Sequence, residues 1–450
     1  MLNHNTIAAV ATAPGKGGVG IVRISGEKAG EIGQKITGNV LKPRYAHYLN
    51  FFNQQGETID RGIALYFNAP HSYTGEEVVE LQAHGGPVIL NMLLQTAIDY
   101  GARLAKPGEF TERAYLNDKI DLAQAEAIAD MINAASEQAA KSALRALQGA
   151  FSEYVDKLVE KLIKLRMHVE AAIDFPEEEI DFLADQLIFL QLSEVRKALA
   201  ETLDVSRQGV LLRDGIDIVI AGKPNAGKSS LLNALAGRDS AIVTDIAGTT
   251  RDTLREYIEI NGVPVHIIDT AGLRQSDDVV ESKGIERALK AIQNADHVLL
   301  LVDVREKAKD VRFEKLQPEL FRSIPDHIPV TCVYNKIDLK AEGTYQNRDN
   351  QLYISAKHHL GIDALKEYLL KAVGYEQSNE GQFTARKRHL SALNQAASHL
   401  EIAETHLNNK DGELLAEELY LAQKALSSIT GKFSADDLLG EIFSSFCIGK

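Results

Sequence analysis

The chain has 450 residues, which predicts about three domains at the usual ~150 residues each, and its 45% apolar and 25% charged residues are an ordinary globular balance. A formal net charge of −14 excludes nucleic-acid binding through the overall field, so any such contact must be a local basic patch. Two cysteines, Cys332 and Cys447, exclude a disulfide framework and point to a reducing compartment.

"MLNHNTIAAVATAPGKGG" lacks a charged segment leading into a long apolar run, so no signal peptide is expected. No apolar run approaches the ~20 residues of a membrane span. The expected location is the cytoplasm. Residues 1–118 mix short β-like runs with turns. "GVGIVRISG" (18–26) and "RGIALYFNAP" (61–70) read as strands, and "GPVILNMLLQTAIDYGA" (86–102) reads as a helix with a Gly stop. This is a compact α+β domain. From Asp118 the texture becomes Ala-, Leu-, Glu- and Lys-rich, and 122–173 predicts one or two long helices. "DFPEEEIDF" (174–182) interrupts them, and helix resumes to about 210.

From Gly215 short apolar runs alternate with helical stretches: "IDIVIAG", "VPVHIIDTAG", "HVLLLVD", "IPVTCVYNKID" and "LYISAK". That rhythm predicts a parallel sheet covered on both faces, ending near Gly374. Long amphipathic helix returns from about 388 to 430. Helices on both sides of an α/β block suggest an insertion: 119–212 and 380–450 as one helical domain, with 213–379 spliced into it. Four domains in a row is the alternative.

"GKPNAGKSS" (222–230) fits G-x-x-x-x-G-K-[ST] between a strand and a helix, the context that motif requires. The glycines let backbone N–H groups wrap phosphates, and the helix N-terminus adds positive potential. Lys228 is predicted to reach the β- and γ-phosphates and Ser229 to ligate Mg²⁺. In "DTAG" (269–272), Asp269 supports the metal and Gly272 senses the γ-phosphate, with Thr270 and Ala271 between them. "GTTRD" (248–252) lies where a switch places a threonine on Mg²⁺, and Thr250 is that candidate. In "NKID" (335–338), Asn335 and the Asp338 carboxylate suit a purine presenting N1–H and 2-NH₂ donors, which is guanine; Lys336 lies between them. Ser355, Ala356 and Lys357 support the base. The ordered set resembles a translation-factor-like GTPase domain, and the nucleotide is GTP. Leu273 stands where many small GTPases carry a water-positioning Gln, so a replacement is needed. Glu281 is a candidate on position, or a solvated surface residue. Asn225 can help hold a monovalent cation, or simply form a turn. "GKGGVG" (15–20) mimics a second phosphate loop, but Ile21 and Val22 follow it, so it reads as a turn entering a strand.

Over its whole length the chain resembles the tRNA-modification GTPase family called MnmE or TrmE. The resemblance is carried by "TAPGKGGVGIVRISG" (12–26), "HGGPVIL" (84–90), "PGEFTERAYLNDKIDLAQAEAIADMI" (107–132), "GKPNAGKSSLLNAL" (222–235), "TDIAGTTRD" (244–252), "HIIDTAGLR" (266–274) and the terminal "FCIGK". It implies an N-terminal folate-binding domain, a helical domain and an inserted G domain. It also implies a homodimer whose G domains pair when GTP and K⁺ bind. By motif, Asn225, Thr244, Ile246 and Thr249 would coordinate K⁺, Ser229 and Thr250 would hold Mg²⁺, and Glu281 would be catalytic. Ala226, Gly227, Ser230, Asp245, Ala247 and Gly248 would complete the GTP site. A reduced folate, 5-formyl- or 5,10-methylene-tetrahydrofolate, would contact Arg23, Glu80, Lys119 and Lys450. A flavin- and NADH-dependent partner, MnmG or GidA, would carry FAD and join the homodimer in a heterotetramer. Together they would install an aminomethyl or carboxymethylaminomethyl group at C5 of a tRNA wobble uridine.

The last four residues, "CIGK", have the outline of a prenylation box. Gly449 is not aliphatic, however, and Lys450 is not a usual terminal residue. "SADDLLGEIFSSF" reads better as a helix capped by Ser434, burying Leu438, Leu439, Ile442, Phe443 and Phe446. Such a helix would dock and aim the tail, by the resemblance at the folate pocket. Cys447 is then a nucleophile or acid/base, or else a bland terminal thiol. Two rival functions stay open. One is a regulatory GTPase that binds ribosome or RNA without carbon chemistry. The other is a membrane-remodelling GTPase, for which "KLVEKLIKLRMH" (157–168) is only mildly basic. "RKRH" (386–389) touches tRNA phosphates or merely starts a helix.

Overall fold

The computed structural model describes residues 5–174, 186–223, 225–236, 255–269, 292–306, 324–339, 351–375, 383–432, 436–444, 446, 447 and 449. The chain packs as two compact units: Met1–Ala129 with Leu147–Leu192 and Ser398–Lys450, and Asp130–Ala146 with Ser193–Ala397.

In the first unit, strands β1 (Ile7–Val10), β2 (Gly17–Ser25), β3 (His47–Phe52), β4 (Thr58–Phe67), β5 (Val78–Gly85) and β6 (Arg103–Leu104) form a sheet ordered β3-β4-β5-β2-β1-β6. Alternation along the strands sorts residues to its two faces. Val22 and Ile24 of β2 and Val79, Leu81 and Ala83 of β5 join a core with helices α1 (Ala29–Thr37) and α2 (Pro87–Asp99). Arg23 and Glu80, the residues between them in sequence, are cross-strand partners in the ladder and face the other way. On that side Ile7 and Ala9 meet Phe110 of α3 (Glu109–Leu116). Of "GKGGVG", only Gly15 and Lys16 precede β2; the strand begins at Gly17, so most of the expected turn is strand.

The Ala-rich stretch after Asp118 forms three helices where one or two were expected: α4 (Leu122–Ile132), α5 (Glu137–Leu147) and α6 (Ala150–Asp174). The breaks have local causes. The Ser136 Oγ accepts from the Ala139 N–H and caps α5. Gly149 has φ +95°, which ends α5 before α6 begins. At the start of α4, Asp121 and Gln124 exchange side-chain-to-backbone hydrogen bonds as a capping box. The helix expected from 388 to 430 is likewise two, α10 (Lys387–Asn409) and α11 (Gly412–Thr430), broken at Lys410 with φ +64°. The terminal helix α12 (Asp436–Ser444) packs Ile442 and Phe443, with Phe446 beyond its end, against Leu122 and Ala125. Ser434 and the Leu438 side chain lie outside the described residues.

In the second unit, α7 (Gln186–Asp214) leads into β7 (Ile216–Gly222) and α8 (Lys228–Ala236). Strands β8 (Arg255–Ile260), β9 (Val263–Asp269), β10 (His297–Asp303), β11 (Val330–Asn335) and β12 (Gln351–Tyr353) follow, then α9 (Ile362–Ala372). The sheet order is β12-β11-β10-β7-β9-β8, parallel except for β8. The antiparallel β8, "REYIEI", was not among the expected strands; its alternation of charged and apolar residues marks a sheet edge. Every residue of β10 is buried, Leu299 and Leu301 on one face and Val298, Leu300 and Val302 on the other. A sheet covered on both faces leaves its strand ends for chemistry. The central β7 lies between β10 on one side and β9 on the other, and in such sheets ligands bind at the carboxyl end of the strand at the switch point.

Among the described residues, no helix is long and apolar enough to cross a membrane. No cluster of three or more His, Cys, Asp and Glu side chains suited to a metal occurs among them either.

Candidate functional site

The phosphate loop joins Gly222, the last residue of β7, to Lys228, the first of α8. Asn225 stands at φ +62° and Gly227 at φ +99°, so the chain turns through left-handed conformations, the kind from which backbone N–H groups can form an anion-binding concavity. Gly227 is fixed by space as well: a Cβ there would lie 2.3 Å from Asn335 Nδ2. The Lys228 ammonium donates to the Gly222 carbonyl at 2.9 Å and so arches over the loop. Ser229 and Ser230 follow it as exposed residues of the first turn of α8. A hydroxyl at Ser229 suits a magnesium bound to phosphate oxygens.

Asn335 is 2% exposed and ties three segments together. Its Nδ2 donates to Ala226 O at 3.0 Å, and its Oδ1 accepts from the Ala356 N–H at 3.0 Å and the Lys336 N–H at 2.8 Å. The phosphate loop, the end of β11 and the "SAK" segment thus share one buried amide. Asp338 is exposed, with Ser355 Oγ donating to its Oδ1 at 2.5 Å. That hydroxyl and the nearby His358 keep its carboxyl below the usual range. An ionised, exposed carboxylate beside the phosphate loop suits paired N–H donors on a guanine edge.

Asp303 was missed by the sequence reading. It ends β10 and is 7% exposed. Hydrogen bonds from Arg305 and, next, Lys336 hold its carboxyl far below the usual range despite burial. Lys336 Nζ bridges Asp303 Oδ2 at 2.9 Å and the Asn225 carbonyl. An acidic residue closing the apolar run "VLLLV" was the available signal. The β9 backbone ends at Asp269. The Asp269 side chain, Thr244, Asp245, Ile246, Ala247, Gly248, Thr249, Thr250, Thr270, Ala271, Gly272 and Glu281 lie outside the described residues.

A second constellation sits on the face of the first sheet opposite α1 and α2. Arg23 Nε donates to Glu80 Oε1 at 2.9 Å, and Nη1 reaches the Gly449 carbonyl at 3.5 Å. The tail is seated by its shape: Gly449 is buried at φ +97°, where a Cβ would lie 2.2 Å from Val10 O. Gly108 N–H donates to Cys447 O at 3.3 Å, and a Cβ on Gly108 would strike the Phe443 carbonyl. Cys447 itself is exposed, whereas Cys332 is buried in β11. Lys119 Nζ donates to Pro70 O at 3.0 Å, on the connection that also carries Tyr73. Lys450 lies outside the described residues.

That connection is braced from below. Arg113 donates twice to Glu76, at 2.8 and 3.0 Å, and once to Glu109 at 3.1 Å. Burial pushes the Glu109 carboxyl up, but hydrogen bonds from Arg103, the Lys106 N–H and Arg113 outweigh it and hold it low. Sequence reading found the ends of this constellation and missed Tyr73, Glu76 and Arg113, because their roles arise from contacts between distant segments.

The phosphate loop at a topological switch point, with a guanine-suited carboxylate beside it, defines a P-loop GTPase. Residues 122–447 match the family model described as the MnmE helical domain, and residues 6–119 that described as the GTP-binding protein TrmE N-terminus. The tRNA modification GTPase MnmE of Francisella tularensis subsp. holarctica is 58% identical over 452 residues, covering 100% of both chains. That of Francisella philomiragia subsp. philomiragia is 56% identical over the same coverage. A crystal structure of Aquifex aeolicus Era is 26% identical, covering 41% of this chain and 66% of that one with a TM-score of 0.29. The chain belongs to the MnmE, or TrmE, family of tRNA modification GTPases.

Proposed function

We propose that this chain is a K⁺-dependent GTP hydrolase of tRNA modification that works as a cytoplasmic homodimer. With a flavin-dependent partner of the MnmG/GidA type in a heterotetramer, it adds an aminomethyl or carboxymethylaminomethyl group at C5 of a wobble uridine. The carbon comes from methylene-tetrahydrofolate. The domains are 1–118 for folate and dimerisation, 119–212 with 380–450 as the helical domain, and 213–379 as the inserted G domain.

Family membership over the full length carries the GTPase half of this reading. The observation that supports the folate half is the tail's Gly449 carbonyl meeting Arg23, itself paired with Glu80. A pterin edge offers adjacent N–H donors for a carboxylate such as Glu80, and glutamate carboxylates need cations such as Lys119 and Lys450. The residues present therefore fit a reduced folate. Cys447, exposed at the end of this seated tail, stands as nucleophile or acid/base toward the transferred carbon.

In the nucleotide site the loop N–H groups and Lys228 bind the phosphates, and Asp338 selects guanine. Ser229 and Thr250 hold Mg²⁺, which neutralises charge on the phosphates when bound. Asn225, Thr244, Ile246 and Thr249 hold K⁺. Glu281 orients water through a second water, doing what the absent glutamine does elsewhere. GTP hydrolysis drives a conformational cycle and not the carbon chemistry.

The first experiment is calorimetric titration of 5-formyl-tetrahydrofolate into the full chain and into a chain ending at Phe446. Binding that weakens on truncation supports the one-carbon reading. No binding to either chain would sink it and leave a regulatory GTPase. GTP turnover in K⁺ and in Na⁺ tests the cation: equal rates would remove K⁺ from the mechanism.

A further inference from the structure

Arg23 has a long side chain that would ordinarily sample many rotamers. Here Nε is taken by Glu80 and Nη1 lies toward Gly449 O. Two aromatic rings complete its surroundings, with the guanidinium carbon 5.6 Å from the centroid of Tyr73 and 5.6 Å from that of Phe110. Phe110 is wholly buried among Ile7, Ala9 and Ala105 and serves as a fixed wall. Tyr73 belongs to the connection between β4 and β5 and is 37% exposed, so its place must be held by specific bonds. Its hydroxyl pairs with Thr111 Oγ1 at 2.8 Å. Next to it, Thr74 Oγ1 pairs with the buried Ser25 Oγ at 2.7 Å, and Asn117 Nδ2 donates to Thr74 O at 2.7 Å. The ring is thus presented over Arg23 by a loop pinned to β2 and α3.

We propose that Tyr73 is a positioning residue for the folate pocket. Its ring fixes the plane of the Arg23 guanidinium. Nη1 then meets the tail carbonyl of Gly449, and the remaining N–H edge is aimed at a polar or anionic edge of a reduced folate. The inference rests on the folate reading above for its ligand, but not for its effect on the tail. A guanidinium gripped at Nε alone can still swing its plane. A ring held against it, with its centroid 5.6 Å from the guanidinium carbon, restricts that freedom before the ligand arrives, which is preorganisation.

The test uses the full chain with Tyr73→Phe and Tyr73→Leu. Two quantities are read: calorimetric affinity for 5-formyl-tetrahydrofolate, and amide hydrogen exchange of the C-terminal peptide holding Phe446 to Gly449. Tyr73→Phe keeps the ring and the Thr74 bonds that pin its loop and loses only the hydroxyl bond to Thr111, so it should stay much nearer the parent than the Leu variant in both. Tyr73→Leu should weaken folate binding about tenfold and speed tail exchange severalfold. A Leu variant equal to the parent in both readouts overturns the inference and leaves the folate reading intact. If the parent binds no folate yet the Leu variant still loosens the tail, the folate reading falls and the positioning of Arg23 stands. If Tyr73→Leu lowers the unfolding midpoint appreciably, Tyr73→Gln, which keeps a polar tip for Thr111 and lacks the ring, is read the same way. A Gln variant that matches the parent overturns the inference as well.

Discussion

Two six-stranded sheets carry the two constellations, and they place function differently. The nucleotide sheet is buried on both faces, so its side chains have no room for ligands and its chemistry is confined to strand ends. Gly222, Asp303 and Asn335 all close strands there. The N-terminal sheet packs helices α1 and α2 against one face. Its other face presents Arg23 and Glu80 directly from the strand, within reach of a docked tail. A ligand site on a strand end is made by loops, and its motif is short and continuous in sequence. A site on a strand face is made by residues hundreds of positions apart.

Substitutions can break that contrast. The largest effect is expected from Lys228→Ala: GTP turnover should fall about a hundred- to a thousandfold, read by phosphate release. Asn335→Ala should follow. It leaves the Ala226 carbonyl and the Ala356 N–H without the side chain they share, and the Kd for GTP should rise about a hundredfold. An unchanged Kd would show that the loops hold themselves. On the other sheet, Gly449→Ala puts a methyl group on the Val10 carbonyl. Folate binding should weaken at least about tenfold, with GTP affinity within about twofold of the parent. A variant that lost both ligands would erase the separation of the two sites.

A smaller effect sharpens the account of the buried sheet. His297, at the start of β10, is 1% exposed, with Nε2 against Thr331 Oγ1 at 2.8 Å. Burial lowers its pKa from the ordinary 6.5 to about 4. The unfolded chain therefore binds an extra proton between those values, and stability falls as pH drops through that window. The total is ~3 kcal/mol below pH 4. Thermal unfolding from pH 7.5 to 5 should show this slope, and His297→Leu should flatten it. The smallest effect is expected from Ser136→Ala. Its hydroxyl caps α5 and donates to the Gly262 carbonyl at 2.7 Å. Unfolding measurements should show a loss of ~1 kcal/mol.

Local order was legible in the sequence. The loop "GKPNAGKSS", the run "HVLLLVD" and the alternation of "IVRIS" each fix their element through short-range physics: glycine's access to positive φ, continuous burial, and a period of two. The helix breaks at Ser136, Gly149 and Lys410 were not read, because helical spacing continues across them and only a cap or a left-handed residue marks the stop. The strand β8 was missed because an edge strand carries too few apolar residues to stand out.

The sequence by itself determined the class of nucleotide site, since the phosphate-loop motif is one continuous turn joining one strand to one helix. It also determined the burial of Ile442, Phe443 and Phe446 in the tail. Only the tertiary structure decided that Asn335 ties loops together, that Asp303 anchors Lys336, and that Gly449 meets Arg23 from 426 positions away. Those contacts depend on which strand ends and segments folding brings together. Such proximity is set by the burial of whole faces, and no spacing along the chain records it.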